Sequence, residues 1–239
     1  MRKPGPHILR RFDGEIGNFR QLILDMGELA IEQVELAVRA SADCDMKAVS
    51  RIRNNYRSVA EMDMDLLESN IRLLAIYQPV AVDLRFLVML SRTAYDLERI
   101  QQEALRLADI AEAHDRHRKP SSDCDIFDDV NLMGEYALDM LRESLQAVAD
   151  GSEARALEVA RCPAELQDAS QAALRRLATY IMQDPRLIQS VIDATQVLKA
   201  LERITDHCVG ISRNLIFALS GKDVRHLNVL NLDRAFLHG

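Results

Sequence analysis

The strongest constraint on the fold of this 239-residue chain is that it spells one helical pattern twice. Leu-Glu-Arg-Ile occurs in "DLERIQQEA" (96–104) and again in "ALERITDHC" (200–208). Met26-Gly27-Glu28 returns as Met133-Gly134-Glu135, an offset of 133 − 26 = 107. Pro79 returns as Pro185 (185 − 79 = 106) and Glu98 as Glu202 (202 − 98 = 104). An offset that shrinks slowly while the order of landmarks is kept indicates two copies of one unit that differ by small deletions in loops.

The unit is helical. Ile16, Phe19, Ile23, Met26, Ala30, Val34 and Ala37 follow one another at steps of three and four, the stripe of a bundle helix. A second helix is expected over about 45–77 and a third from Pro79 to about Ala113, with proline in its first turn. Three more are expected at about 127–150, 152–183 and 185–220, the last capped by Asp184 and closed by Gly221. Gly (9) and Pro (6) are scarce enough to leave such long helices uninterrupted. Long helices with short connections favour antiparallel packing. The expectation is therefore an all-α fold of two tandem three-helix bundles: a first repeat over 1–114, a linker over 115–126, a second repeat over 127–221 and a tail over 222–239.

Composition narrows the function. A net charge of −7 argues against a nucleic-acid partner, and the basic stretch "MRKPGPHILRR" reads as a solvated tail. The cysteines Cys44, Cys124, Cys162 and Cys208 are far apart and form no Cys-x-x-Cys, so neither a zinc ribbon nor a disulfide framework is implied. No signal-peptide core precedes the first helix, and no apolar run approaches the ~18 residues that span a bilayer. A soluble, cytoplasmic protein without membrane insertion is expected, free to dock on a membrane complex.

Carboxylates supply the only candidate chemistry. Glu202 and Asp206 stand four residues apart, about 40° around a helix, at the border of an apolar stripe. The earlier copy keeps Glu98 but has Gln102 in place of the second acid, with Glu103 adjacent. Glu28 with Glu32, and Glu135 with Asp139, form similar pairs on the opening helices. Such clusters suit a hard or borderline cation, or else make an acidic surface with salt bridges such as Arg99–Glu103. If metal binds, the second repeat is the expected place, with help from Glu135 or Asp139, because Glu98 and Gln102 offer half the charge. None of the histidines follows a glutamate at the Glu-x-x-His spacing of di-iron bundles, and His207 is expected at a surface or facing a partner. No glycine-rich phosphate loop, Gly-x-Ser-x-Gly or His-Glu-x-x-His occurs, so no catalytic residue is assigned and an enzyme is disfavoured.

The stretch "QPVAVDLRFLVMLSRTAYDLERI" (78–100) resembles the hallmark of the PhoU family, regulators of bacterial phosphate uptake. "MQDPRLIQSVIDATQVLKALERITDHC" (182–208) is similar to the family's second repeat, "HILRRFDGEIGNFRQLILDMGELA" to its opening, and "GKDVRHL" (221–227) to its closing segment. The resemblance implies paired three-helix bundles that self-associate, as a homodimer in the simplest case. It implies partners too: the ATPase subunit of a phosphate ABC transporter and a phosphate-sensing histidine kinase, held inactive when phosphate is plentiful. It further implies iron or zinc on Glu/Asp-x-x-x-Asp motifs, which carry over to Glu202 and Asp206 and, alone, to Glu98. The chain departs from the family where Gln101-Gln102 replaces Gly-Asp, where Thr205 replaces glycine, and where acids thin out around Ala60 and Gln167. The alternatives left open are a paralogue serving another anion transporter and a carboxylate-bridged metal protein.

Overall fold

A computed structural model describes residues 6–117, 124–224, 227 and 231–232. Residues 1–5 of the basic stretch, 118–123 of the expected linker and most of the expected tail lie outside them. Among the described residues there are seven α-helices and no strand: α1 (Pro6–Asp43), α2 (Met46–Tyr77), α3 (Ala81–His117), α4 (Asp128–Asp150), α5 (Glu153–Arg161), α6 (Pro163–Gln183) and α7 (Ile188–Ser220). One-turn 3-10 segments, Cys124–Phe127 and Pro185–Leu187, lead into α4 and α7.

Local chemistry sets most boundaries. Asp45 caps α2 by accepting from the backbone N–H groups of Lys47 (3.0 Å) and Ala48 (3.2 Å), which satisfies two donors of its first turn. Gln78 ends α2 in the left-handed region (φ 45°), its N–H returning to the Leu74 carbonyl. Gly151 and Gly221 end α4 and α7 in the same way at φ 61° and 75°, where a Cβ would be strained.

Three boundaries differ from the sequence expectation. The expected helix over 152–183 is two helices, because α5 stops at Arg161 and Pro163 opens α6 at a position needing no N–H donor. The third helix starts at Ala81 rather than Pro79, since Gln78 and Ala81 both take positive φ and turn the chain before it. Asp184 does act as a cap, but of the 3-10 turn, accepting from the Arg186 N–H at 2.9 Å.

The stripe of α1 is the floor of the first bundle: Phe19, Ile23, Met26, Ala30, Val34 and Ala37 are all buried. α2 and α3 close over it, and α5 and α6 pack with α4 and α7 to make the second bundle. The bundles join side by side through two helix pairs, α3 on α7 and α1 on α4.

The α1–α4 joint is reciprocal. A Cβ on Gly27 of α1 would lie 2.6 Å from Leu145 Cδ2 of α4, and one on Gly134 of α4 would lie 2.6 Å from Val38 Cγ1 of α1. With the 107-residue offset, Gly27 corresponds to Gly134 and Val38 to Leu145 (38 + 107 = 145), so the two contacts are copies of each other. This is the self-complementary geometry of a two-fold interface. It explains why Met-Gly-Glu is spelt twice: each glycine receives the branched side chain of the opposite helix.

Candidate functional site

α3 and α7 run antiparallel along the middle of the molecule, as their side-chain pairs record. Arg85 Nε donates to the Ala218 carbonyl (3.4 Å), His207 Nδ1 lies 3.0 Å from Asp96 Oδ1, Arg203 Nε donates to Glu103 Oε1 (2.8 Å), and His114 Nδ1 lies 3.1 Å from Asp193 Oδ2. Leu97, Ile100, Leu201 and Ile204 lie between these pairs and are fully buried. The duplicated Leu-Glu-Arg-Ile thus supplies the apolar centre of the seam, with each buried aliphatic side chain contributing roughly 1.5–3 kcal/mol. Its charged members border that centre: Glu98 and Glu202 are both half-buried.

Beside the centre a cleft of about 540 Å³ opens between the two helices. Arg92 and Asp96 line it from α3, and Asp206, Gly210, Arg213 and Asn214 from α7. Gly210 keeps it open toward Asp96, since a Cβ there would approach the Asp96 Oδ2 atom to 3.3 Å. The charges are mixed and partly desolvated. Partial burial raises the Asp206 carboxyl above the usual range, and the charge of Glu202 adds to this against the pull of His207 and Arg213. Burial lowers the Arg213 guanidinium, with Asp206 opposing. Arg213 also donates through Nη2 to the Leu227 carbonyl at 3.1 Å, which ties the start of the tail to this site. Cys208 is fully buried, and burial drives its thiol well above the ordinary range, the signature of an inert core cysteine.

The five carboxylates expected as metal ligands, Glu98, Glu135, Asp139, Glu202 and Asp206, are dispersed. Glu202 accepts from the Ser170 hydroxyl of α6 through Oε1 and has Lys199 Nζ 3.8 Å from Oε2, whereas Asp206 lines the cleft. Glu98 accepts from Gln102, with Arg99 Nε at 3.8 Å. Glu135 is exposed on α4, and Asp139 faces Arg142 at 3.3 Å. Among the described residues no group of three or more His, Cys, Asp or Glu side chains is arranged to hold a metal ion. Zinc sites draw on four ligands and oxygen-bound cations on more, so these residues as placed do not fit the iron or zinc that the family implies.

His207 is half-buried, with Nδ1 bonded to Asp96 Oδ1 across the seam. Glu103 pairs with Arg203, not Arg99; Arg99 bonds Gln102 Oε1 (2.8 Å) and stacks over the Tyr95 ring at 5.0 Å. Glu32 pairs with Arg51 of α2. Gln101 and Thr205, which stand where the resembled motif has glycine, are both buried at the seam, and neither polar atom of the Gln101 amide has a partner. Sequence reasoning missed Arg92, Arg213 and Asn214. The signal was present: Glu202, Asp206 and Arg213 fall at i, i+4 and i+11, one face of a helix.

The chain's two halves each match the PhoU domain, over residues 23–111 and 130–215. The phosphate-specific transport system accessory protein PhoU homologs of Pseudomonas putida and Pseudomonas aeruginosa are each 34% identical to it, covering 93% and 95% of this chain and 86% and 92% of theirs. The accessory protein PhoU of Escherichia coli is 28% identical over 95% of this chain and 93% of its own. The crystal structure of PhoU from Pseudomonas aeruginosa superposes with a TM-score of 0.83 at 33% identity, covering 88% of this chain and all (100%) of that one. A PhoU structure from Streptococcus pneumoniae shares the fold, with a TM-score of 0.79 at 23% identity. With both repeats matched and the paired-bundle architecture in common, this chain belongs to the PhoU family.

Proposed function

We propose that this protein is a non-enzymatic accessory regulator of phosphate transport and of the phosphate-starvation response. In this reading it bridges the ATPase subunit of a phosphate ABC transporter and a phosphate-sensing histidine kinase, and holds the kinase's output off when phosphate is replete. The observation that carries the reading is the match of both repeats, with relatives named as phosphate-transport accessory proteins aligned over more than nine-tenths of the chain. It works from the cytoplasm, as a homodimer docked on membrane complexes. No helix among the described residues is long and apolar enough to cross a membrane.

Deletion of the gene should raise expression of phosphate-starvation genes in phosphate-replete medium, and the intact protein should restore repression. Unchanged reporter output on deletion would favour a paralogue serving another anion transporter. Failure to co-purify with the transporter ATPase would remove the bridging mechanism.

A further inference from the structure

The solvent side of α2 carries a feature the fold does not need. Met64, Leu67 and Ile71 recur at steps of three and four, and Leu67 and Ile71 are 59% and 58% exposed. Leu84, Val88 and Tyr95 of α3 form a facing exposed row, so two apolar edges flank a groove between the helices. A pit of about 210 Å³ lies in that groove between Leu67, Asn70, Ser91 and Tyr95, with the buried ring of Phe19 behind. Its wall holds a polar atom without a partner, the buried Asn70 Oδ1. Four acids run along the α2 side: Glu61, Asp63, Asp65 and Glu68. None of the four has an ion pair among the described residues, although surface acids elsewhere in the chain, such as Glu32, Asp109 and Glu112, do.

The second repeat supplies the control. Among the described side chains of α6, the corresponding helix, the exposed positions hold Asp168, Gln171, Arg175, Arg176, Ala178, Thr179, Met182 and Gln183, with a lone apolar residue at the end and no apolar stripe. The bundle therefore folds without an apolar outer face on this helix, and the stripe of α2 has another use. A contiguous exposed apolar patch with a polar rim marks an interaction surface.

We infer that the α2–α3 groove of the first repeat docks an amphipathic helix of a protein partner, one whose apolar stripe is flanked by Lys or Arg. The stripe spacing matches helix-in-groove recognition, in which anchors at i, i+3/i+4 and i+7 enter a hydrophobic channel. The unpaired carboxylates select basic flanks, and they disfavour an anionic lipid surface by like-charge repulsion. The pit takes one bulky anchor, and Asn70 accepts a hydrogen bond from a donor on it. The inference needs only the groove and does not depend on which partner the regulatory reading names.

The test uses the full chain and a fluorescent Leu/Lys amphipathic helical peptide, with a Leu/Glu peptide of the same pattern and a Leu/Lys peptide of scrambled order. The patterned Leu/Lys peptide should bind, more weakly at high salt, and the other two should not. Leu67→Asp or Ile71→Asp should weaken it by about tenfold or more, as removal of a central anchor does. Met182→Asp, at the end of α6, should leave it unchanged. Both α2 sites are exposed, so these variants should melt with the wild type. Equal binding by wild type and variants, or by the patterned and scrambled peptides, would overturn the inference. So would a loss of self-association on Leu67→Asp, which would make the face a contact between copies, or Leu67-dependent binding to lipid vesicles.

Discussion

α2 and α6 occupy the same place in their bundles but present different chemistry to solvent: Met64, Leu67 and Ile71 with unpaired acids on one, Gln171, Arg175 and Arg176 on the other. α1 and α4 also occupy equivalent places, and there the copies agree, glycine for glycine and branched residue for branched residue. The contrast separates two demands on a duplicated chain. Positions facing the other half must stay mutually complementary, so a change in one copy has to suit the other. Positions facing away carry no such constraint and can diverge toward a partner.

The seam offers the largest effect with which to break this comparison. Its two ends are not copies: His114 and Asp193 form a buried pair at one end, with Gln189 Nε2 donating to Asp193 at 3.0 Å, while the equivalent positions at the other end (114 + 104 = 218 and 193 − 104 = 89) are Ala218 and Met89. Breaking a buried pair by removing one member is strongly destabilising, so Asp193→Ala, which takes the carboxylate from both His114 and Gln189, should cost about 3–5 kcal/mol in urea unfolding. At the far end, Arg85→Ala deletes one long hydrogen bond and should cost about 1 kcal/mol or less. Equal losses would show that the ends are energetically alike despite their sequences.

The reciprocal glycines sharpen the comparison at a smaller scale. Ala at either site gains about 1 kcal/mol of helix propensity over Gly. At position 134 the new methyl meets both γ-carbons of Val38, a side chain stiff at χ1, and overpacking should outweigh the gain, for a net loss of about 1–2 kcal/mol. At position 27 it meets the far end of Leu145, which can rotate away, so Gly27→Ala should be nearly neutral within about 0.5 kcal/mol. Adding Val38→Ala should rescue Gly134→Ala in a double-mutant cycle, and additive losses would show that the contact is not the cause.

The smallest effect concerns Asp206. Its carboxyl is raised in the folded chain, chiefly by partial burial. An acid with a raised folded value costs stability once pH has risen through that value, and the cost is absent below the unfolded value near ~3.9. Asp206→Asn should therefore raise the melting temperature slightly at pH 7, with the difference vanishing as pH falls below about 4. A melting temperature lowered by Asp206→Asn at pH 7 would reverse the sign and identify Asp206 as a stabilising anion.

Much of the fold was legible because it rests on periodicity. The α1 stripe, the Gly221 terminus and the duplication are local or repeated patterns, and each appears where the sequence puts it. The split between α5 and α6 was written in the sequence as Cys162-Pro163, but a proline inside an apolar pattern reads equally as a helix start or a kink. The site was less legible, since spacing along one helix says nothing about what the next helix brings. Glu202 and Asp206 do share a face of α7, yet the Ser170 hydroxyl that takes up one and the Arg92 that shares a cleft with the other come from two other helices, α6 and α3. Arg99–Glu103 is a sound local pair by spacing, and it lost to Arg203, which arrives from α7.

The reciprocity of the α1–α4 joint bears on how the molecule assembles. Two self-complementary surfaces made as separate chains would have to meet by diffusion, at an affinity set by protein concentration. Written in one chain, the same surfaces are held at an effective concentration on the order of mM, so pairing no longer depends on how much protein the cell makes. The joining segment also removes the need for identity. Once each half always meets the same mate, one can acquire the Arg175–Arg176 surface and the other the Leu67–Ile71 surface without producing mismatched assemblies. Duplication followed by fusion thus turns a symmetric interface into a scaffold with two distinguishable sides.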